Sequence, residues 1–303
     1  FEKARAQIEA GKLQRAGLVA TNSIRQRANR QVLQRVLATT RIFDAWPDEP
    51  WVNEGAAVRV SLVAFGRSMQ QTMLAAQPVE VIFADLNAAA DSASVLDLTQ
   101  AKTLAANAGA SFFGFCLAGP FTVDAQKARA WLREPNPNGR SNSEVLTPLW
   151  NGVDVTRRTC DRWAVDFGAE RSELDAALFE LPFTHVELAV KPRRAGNREA
   201  ARAARWWRHG RPRPELRKAG HGLPRMIVTP ETAKHRYFVW LPHGVAAEHR
   251  LVVVPRADDT TIGLLSSRVH VAWALARGGT VEDRPVYNTT ACFLPFPFPA
   301  GLT

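Results

Sequence analysis

The chain has 303 residues, of which 46% are hydrophobic and 22% charged, and its formal net charge is +10. This composition is typical of a globular protein with one large or two medium domains, and the positive charge favours an anionic partner such as nucleic acid. No apolar run approaches the roughly 20 residues that cross a bilayer, and the charged N-terminus lacks the apolar core of a secretory signal. Three widely spaced cysteines do not resemble a disulfide framework, so we expect a cytoplasmic protein.

The start of the chain predicts a helix, a strand and a second helix. Residues 2–14 have a charged amphipathic pattern, and residues 16–20 form a short apolar run of the kind found in buried parallel strands. Residues 27–40 repeat their apolar side chains at helical spacing. A strand, a turn and a helix make up the unit of a doubly wound α/β sheet.

Thr21, Asn22 and Ser23 lie between the first strand and the second helix. Ligands of doubly wound folds bind beyond the carboxyl ends of the strands, which is where these three residues are predicted to lie. Ser, Thr and Asn are also the preferred N-cap residues of helices. The sequence leaves both roles open.

An antiparallel hairpin is predicted next. Residues 41–46 and 58–64 have strand character, and the second segment alternates apolar and polar side chains. The Pro- and acid-rich residues 47–55 would form the loop between them, flanked by Trp46 and Trp51. An aromatic residue at such a loop is more often a packing residue than a functional one.

A change in composition near Gln77–Pro78 predicts a boundary between domains 1–78 and 79–303. In the second domain, turn residues mark a loop at 136–143, and residues 210–217 hold too much Pro and Gly to be helical. Alternating prolines and aromatics predict no regular structure at 287–299. Strands are predicted at 79–86, 153–156, 163–167, 226–229, 237–241 and 251–256, helices at 125–134, 172–181 and 197–210, and a strand–turn–helix at 261–279.

The most distinctive segment is the basic stretch, which we define as Glu187–Arg236. It contains fourteen Lys and Arg residues against four Glu, so its excess of ten equals the net charge of the whole chain. Eleven of the fourteen are arginines, interleaved with Trp206, Trp207 and His209, and Tyr237 and Trp240 follow directly. Arg forks suit phosphates and guanine edges, and aromatic rings can stack on bases. The stretch therefore favours a nucleic-acid surface over a merely solvated one.

Several kinds of catalytic and metal site are not indicated. The sequence has no Walker phosphate loop, no GxGxxG after a strand, no HExxH and no GxSxG. The seven histidines are scattered without ligand spacing, so we expect no metal.

Seven segments, in order along the whole chain, together resemble one family. It is the class I S-adenosylmethionine-dependent DNA adenine methyltransferases of the MmeI type, found in single-chain restriction–modification and phage-defence enzymes. The segments are AGLVATNSIRQRANR, IFDAWPDEPWVNEGAAVRVSLVAFG, NPNGRSNSEVLTPLWNGVDVTRR, VKPRRAGNREAARAARWWRHGRPRP, GLPRMIVTPETAKHRYFVWL, LLSSRVHVAWAL and YNTTACFLPFPFP.

The resemblance implies that the chain is part of a bacterial enzyme. The family's cofactor-binding segment and its Asn-Pro-Pro-aromatic motif are not in this sequence. Residues 1–78 would be the last part of the catalytic domain, and residues 79–303 the DNA target recognition domain. The expected fold is mixed α/β, with a partial doubly wound methyltransferase sheet followed by an α+β recognition domain. We expect the parent enzyme to use S-adenosylmethionine to methylate adenine N6, and this chain alone to bind no cofactor and to be inactive.

Residue roles follow from matched positions. Trp46–Pro47 matches the aromatic–Pro pair that stacks on the flipped adenine in related enzymes, with Trp51 or Phe43 as alternatives. Thr21, Asn22 and Ser23 match the rim of the active-site cleft. The candidate residues for contacting double-stranded DNA are Lys191, Arg193, Arg194, Arg198, Arg205, Trp206, Trp207, Arg208, Arg211, Arg213, Arg225, Lys234, Arg236, Arg157, Arg158, Asn138 and Arg140.

Two other functions remain compatible with the sequence. A stand-alone DNA-binding specificity subunit would carry the same basic stretch without any catalysis of its own. A few strands and helices of a doubly wound sheet cannot cover both of its faces, which argues against that alternative. An RNA-binding protein is the third possibility, because charge alone does not distinguish RNA from DNA.

Overall fold

Helices and short mixed sheets give the chain an α/β fold, as the sequence predicted. The computed structural model describes residues 1–25, 27–53, 56–67, 70–88, 101–281 and 284–299. Unit 1 comprises residues 1–101 and 279–284, and unit 2 comprises residues 102–278 and 285–303. Ile82, Ala84 and Leu86 are buried in the unit 1 core, so this division falls beyond Gln77–Pro78. The functional assignment of the two parts stays a prediction.

The bounds of the helices and strands are as follows. The helices are α1 Glu2–Glu9, α2 Arg27–Thr39, α3 Ala125–Trp131, α4 Gly152–Thr156, α5 Glu173–Ala177, α6 Glu180–Arg194, α7 Ala200–Ala204, α8 Pro214–Gly220, α9 Asp259–Ser266 and α10 Arg268–Arg277. The strands are β1 Arg15–Thr21, β2 Arg41–Asn53, β3 Ala56–Gly66, β4 Met73–Leu74, β5 Gln77–Pro78, β6 Phe112–Phe113, β7 Thr122–Asp124, β8 Leu146–Trp150, β9 Arg162–Val165, β10 Arg225–Pro230, β11 Val239–Pro242, β12 Ala246–Ala247, β13 Leu251–Val254, β14 Gly279–Val281 and β15 Arg284–Val286.

Unit 1 is built on a sheet with the strand order β1-β3-β2-β4-β5. Strand β3 pairs antiparallel with both β1 and β2, so β1 and β2 run in the same direction and α2 is the crossover between them. Leu33 and Val36 of α2 pack with Val63 and Phe65 of β3 in a buried cluster. The predicted strand–helix–hairpin order is confirmed.

Two details of that prediction were wrong. Residues 16–20 are not a buried parallel strand, because β1 pairs antiparallel with β3 and alternates exposed with half-buried residues. Residues 47–53 are not a loop, because β2 continues through them to Asn53. A bulge between Trp46 and Glu49 accommodates Pro47, which has no N–H to donate to the ladder. Glu54 and Gly55, the end of the predicted loop, lie outside the described residues.

Unit 2 contains two four-stranded sheets around a large apolar core. One sheet has the order β11-β10-β13-β6 and is antiparallel throughout. The other has the order β12-β8-β9-β7, with β12 parallel to β8. Fully buried side chains such as Phe121, Phe179, Val186 and Val253 belong to one core cluster of this unit.

Two predicted strands of unit 2 are helices. Residues 153–156 fall in α4, where the Asn151 side chain accepts from the backbone N–H groups of Val153 and Asp154, and Asp154 accepts from the Asn151 N–H. This capping box overrides the β-branched composition. Residues 259–266 form α9, because Asp258 caps the N–H of Thr261. The predicted strand at 79–86 has no regular structure in the described residues.

Predicted helix bounds in unit 2 also needed correction. Residues 172–181 divide into α5 and the start of α6, and only residues 200–204 of the predicted helix 197–210 are helical. Residues 214–220 form α8 although Pro and Gly precede them, because Pro214 occupies the first turn, where its missing N–H has no partner to lose. One π-helical turn, Thr289–Phe293, interrupts the predicted irregular end.

A buried histidine lies in the second core cluster of unit 2. His270 has no exposed surface, and its Nε2 lies 3.0 Å from the Tyr287 hydroxyl. The Phe238 and Phe296 rings pack against the imidazole. Burial, with a smaller contribution from the positive charge of Arg236, lowers the pKa of His270 to about 4.

Acid should therefore destabilise unit 2. The folded protein holds His270 neutral, whereas the unfolded chain protonates it near its ordinary pKa of 6.5. Stability from this group is present above pH 6.5 and is lost as the pH falls towards 4, by about 3 kcal/mol in total. Denaturant unfolding across this range should show a smaller loss for His270→Phe, whereas the exposed control His221→Phe should keep the wild-type loss. Equal acid sensitivity of the two variants would contradict the assignment.

Candidate nucleic-acid interface

The structure brings the two predicted sites of unit 1 together. Asn22 begins a single 3-10 turn directly after β1, and its Nδ2 donates to Asp48 Oδ1 at 2.6 Å. Asp48 follows Trp46–Pro47 in the bulge of β2. The hydroxyl groups of Thr21 and Ser23 lie 2.8 Å apart. The end of β1 and the bulge therefore form one polar corner.

Strand β3 holds the bulge from the other side. The Ser61 hydroxyl donates to the Pro47 carbonyl at 2.8 Å, and Ser61 is fully buried. Arg59 donates to the carboxylate and to the carbonyl of Asp48, each at 2.6 Å. Asp48, Arg59 and Ser61 were not recognised from the sequence, because nothing in their local pattern shows that β3 pairs with a bulge.

Trp46 is half-buried in this arrangement. It pairs with Leu62 of β3, which pairs with Val19 of β1, so these three side chains share one face of the sheet. That face lies opposite the one on which Ala45 packs. Of the alternatives to Trp46, Phe43 is only 8% exposed and Trp51 is 44% exposed. Phe43 is thus a packing residue, and Trp51 remains accessible.

Some of the cationic candidates for DNA contacts are exposed and have no paired negative charge. Within the described part of the chain, a subset of the candidate cations is exposed and has no side-chain hydrogen bond or ion pair. This subset, the open cations, is Arg157, Arg158, Arg193, Arg198, Arg205, Arg211 and Lys234. Their guanidinium and ammonium groups are available to a polyanion.

Arg194 behaves differently from its neighbour Arg193. Its side chain is buried, with 3% of the residue exposed, and it donates to four backbone carbonyls. Those carbonyls belong to Leu117, Ala118, Trp206 and Arg208, at distances of 2.6–3.1 Å. Burial, together with the positive charge of Arg202, lowers the pKa of Arg194. Arg194 is a structural residue, and its guanidinium is not accessible to a polyanion.

Trp206 and Trp207 are also core residues, 5% and 7% exposed. The Trp206 indole donates to Glu173 Oε1 at 3.1 Å, and the Trp207 indole donates to the Arg171 carbonyl at 3.0 Å. Arg208 lies over the Trp207 ring and donates to the same carbonyl. Neither indole presents a free face on which a base could stack.

The other candidates in the basic stretch already have partners. Arg236 is largely buried and donates to several groups, among them the Pro230 and Pro285 carbonyls. Arg225 is paired with Asp259, and Arg213, in a left-handed backbone conformation, lies 3.9 Å from Glu215. Lys191 is paired with Glu187 at 2.8 Å.

The loop at 136–143 holds the remaining two candidates. Asn138 donates to the Leu178 carbonyl at 2.7 Å. Arg140 is paired with Glu144 and lies over the Phe179 ring, as does Arg171. Nothing in the sequence indicates the contact of Arg171 with the Phe179 ring, because a single arginine near acidic residues forms no recognisable pattern.

The described residues offer neither a metal site nor a membrane span. No group of three or more His, Cys, Asp or Glu side chains there could hold a metal ion. None of the helices described has the length and apolar character that crossing a bilayer requires.

Comparison with known proteins supports the fold. No family model and no curated protein matches the sequence. A solved structure of the Type IIL restriction–modification enzyme MmeI in complex with DNA matches with a TM-score of 0.74 at 17% sequence identity. The match covers 98% of this chain and 40% of that chain, so this chain spans less than half the length of that enzyme.

At this identity the match shows the fold alone. The α/β fold of this chain is similar to that of part of the MmeI structure. This confirms, at the level of fold, the resemblance recognised in the sequence. The adenine methyltransferase class stays a prediction.

The adjacent residues Arg193 and Arg194 allow a matched test. Arg194→Met removes the donor for four buried carbonyls and should cost about 3 kcal/mol of unfolding free energy. Arg193→Met removes an exposed side chain and should change stability by less than about 0.5 kcal/mol. Urea unfolding measures both, and similar values for the two variants would show that the Arg194 bonds do not hold the fold.

Proposed function

We propose that this chain binds double-stranded DNA and selects the target sequence of an adenine-specific DNA methyltransferase in a restriction–modification or defence system. The observation that carries the proposal is the fold match over 98% of the chain to a restriction–modification enzyme solved with DNA. The open cations supply the electrostatic means, because neutralising phosphates releases bound counterions. Double-stranded DNA is therefore the proposed partner.

Catalysis would belong to a larger protein. The sequence has no GxGxxG after a strand, and β1 is followed by Asn22 and Ser23 rather than by a glycine-rich turn, so the residues present do not fit S-adenosylmethionine. We propose the cofactor for the parent enzyme alone, and no catalytic activity for this chain by itself.

One observation favours a part of a larger enzyme over a stand-alone specificity subunit. Val19, Trp51 and Val58 are 51%, 44% and 40% exposed. Val58 of β3 pairs with Trp51 of β2, and both lie on the face of the sheet that carries Leu62 and Trp46. An exposed apolar sheet face is the kind of surface that another element of a protein covers.

In that enzyme, Trp46 is proposed to stack on the adenine turned out of the duplex. An extruded base loses its stacked neighbours and needs another π surface. The Ser61, Arg59 and Asn22 contacts would fix the bulge, so that the indole does not have to be ordered when DNA binds.

DNA binding is tested by fluorescence anisotropy with a labelled duplex between 50 and 200 mM salt, concentrations at which phosphate contacts dominate. The affinity should fall steeply as salt rises. Arg193→Gln, Arg198→Gln and Arg205→Gln together should reduce the log–log slope by about 3, close to one unit for each phosphate that is no longer neutralised.

The matched control removes three exposed lysines of equal total charge elsewhere, as Lys3→Gln, Lys12→Gln and Lys102→Gln. It should leave the slope within about 1 of wild type. Salt-insensitive binding, or an equal effect of both triple variants, would contradict the proposed interface.

The role of Trp46 is tested in a full-length methyltransferase that contains this chain. Trp46→Ala should slow single-turnover methylation by about 100-fold or more while weakening DNA binding by less than about tenfold, since stacking on one base is worth about 1–3 kcal/mol. Trp51→Ala is the control and should change the methylation rate little. If Trp46→Ala weakens binding and methylation by the same factor, Trp46 is a packing residue.

A further inference from the structure

A cavity of about 340 Å³ lies within unit 2, beside α8 and the turn between β11 and β12. Its apolar lining includes Phe115, Leu146 and Leu216, which are at most 8% exposed. Small-molecule pockets have volumes of about 300–1,000 Å³ and combine an apolar lining with a few polar groups. Neither the DNA-binding function nor the candidate residues of unit 1 explain this cavity.

Arg217 forms one wall of the cavity. Its guanidinium lies 4.3 Å from the centre of the Phe115 ring. Nε donates to the Pro212 carbonyl at 2.9 Å, and Nη2 donates to the buried carboxylate of Asp166 at 2.5 Å. These three contacts fix the guanidinium before any ligand arrives.

Arg225 lines the same cavity and has the same kind of support. Its guanidinium lies 3.7 Å from the centre of the Trp240 ring. Nε donates to the Ala257 carbonyl at 3.0 Å, and Nη2 donates to Asp259 at 2.7 Å. Trp240 and Ile227 lie on the sheet face opposite Met226, which lines the cavity, so these contacts hold the Arg225 guanidinium outside the cavity. Arg217, whose partners Phe115 and Asp166 both line the cavity, supplies the guanidinium of the site.

The charges of the cavity select the kind of ligand. Arg217 is paired with the carboxylate of Asp166, so the site has little net charge to attract a phosphate. A guanidinium plane stacks well on a flat π system, and an apolar lining favours an uncharged body. Ser143 and Thr147, which also line the cavity, carry hydroxyl groups that can form hydrogen bonds.

We propose that this cavity binds a nucleobase, which stacks on the Arg217 guanidinium and places its polar edge towards the hydroxyl groups of Ser143 and Thr147. The base could come from a free nucleoside or from an unstacked nucleotide of single-stranded DNA. The two sources share this chemistry. The proposal goes beyond the proposed function, because recognition of an intact duplex does not need a pocket for a single base.

The first experiment uses the whole chain and ligand-observed saturation-transfer NMR. The probes are the four deoxynucleosides, with deoxyribose 5-phosphate as the control ligand. Nucleoside base protons should receive saturation, and the sugar phosphate should receive none. The absence of transfer to every base, or equal transfer to the sugar phosphate, would overturn the proposal.

Variants then locate the binding. Arg217→Met and Arg217→Lys should each weaken nucleoside binding at least tenfold, because lysine keeps the charge beside Asp166 but has no plane on which to stack. Arg129→Met, which also removes an arginine paired with an aspartate, is the matched control and should bind as wild type. Wild-type binding by Arg217→Lys would show that charge alone acts there and would overturn stacking.

A filling variant guards against indirect effects. Val245→Phe adds bulk at a half-buried position of the lining and should abolish nucleoside binding while the Tm stays within a few degrees of wild type. Val153→Phe, at an exposed position of α4, is its control. A folded Val245→Phe protein that binds nucleosides as wild type does would place the binding elsewhere and overturn the proposal.

Competition separates the two sources of the base. If a short single-stranded oligonucleotide displaces the nucleoside and the corresponding duplex does not, the cavity takes unstacked bases from DNA. If neither displaces it, the cavity takes free nucleosides. Duplex affinity is measured separately by anisotropy, so a wild-type chain that binds duplex but no nucleoside would overturn the cavity proposal and leave the proposed function standing.

Discussion

The folding of the basic stretch depends on one buried guanidinium. Arg194 ends α6 and reaches the carbonyls of Trp206 and Arg208 further along the chain, as well as those of Leu117 and Ala118. No carboxylate among the described residues joins it, so its charge is compensated by the carbonyl dipoles and by the Phe121 ring, whose centre lies 5.0 Å away. Five donors in a planar fork make this possible, and lysine could not reproduce it. Exposed arginines between α6 and α8 are thereby held on an ordered surface instead of a loose loop.

Some arginines of the basic stretch have structural roles, which reduces the number of positive side chains available to a partner. Arg194 and Arg236 satisfy buried carbonyls, and Arg225 is neutralised by a carboxylate. The excess of positive charge that the sequence concentrates in one stretch is therefore carried at the surface by fewer side chains than its composition indicates. An electrostatic surface made of fewer, fixed charges loses less conformational freedom on binding than a flexible basic tail.

The sequence predicted the elements whose signals are local and periodic. The order β1, α2, β2 and β3 follows from apolar spacing, and their α/β class with it. It failed where a single side chain decides the backbone, as Asn151 does for α4 and Asp258 does for α9. The sequence also does not distinguish Arg193 from Arg194, because contacts with residues far along the chain decide which of two adjacent arginines is buried. For the same reason it does not show that Trp206 and Trp207, predicted as DNA contacts, are buried.

The corner at Trp46 shows why a site can be predicted in part. An aromatic–Pro pair can be found by its letters, but its geometry is set by β3, where buried Ser61 meets the Pro47 carbonyl and Arg59 binds Asp48. A bulge removes Pro47 from the hydrogen-bonding ladder and turns the strand locally. The neighbouring strand then replaces the missing ladder bonds with side-chain donors. A substitution of Ser61 or Arg59 would keep Trp46 in the sequence but would no longer hold its indole in one orientation. Sequence comparison at Trp46 and Pro47 alone does not detect such a change.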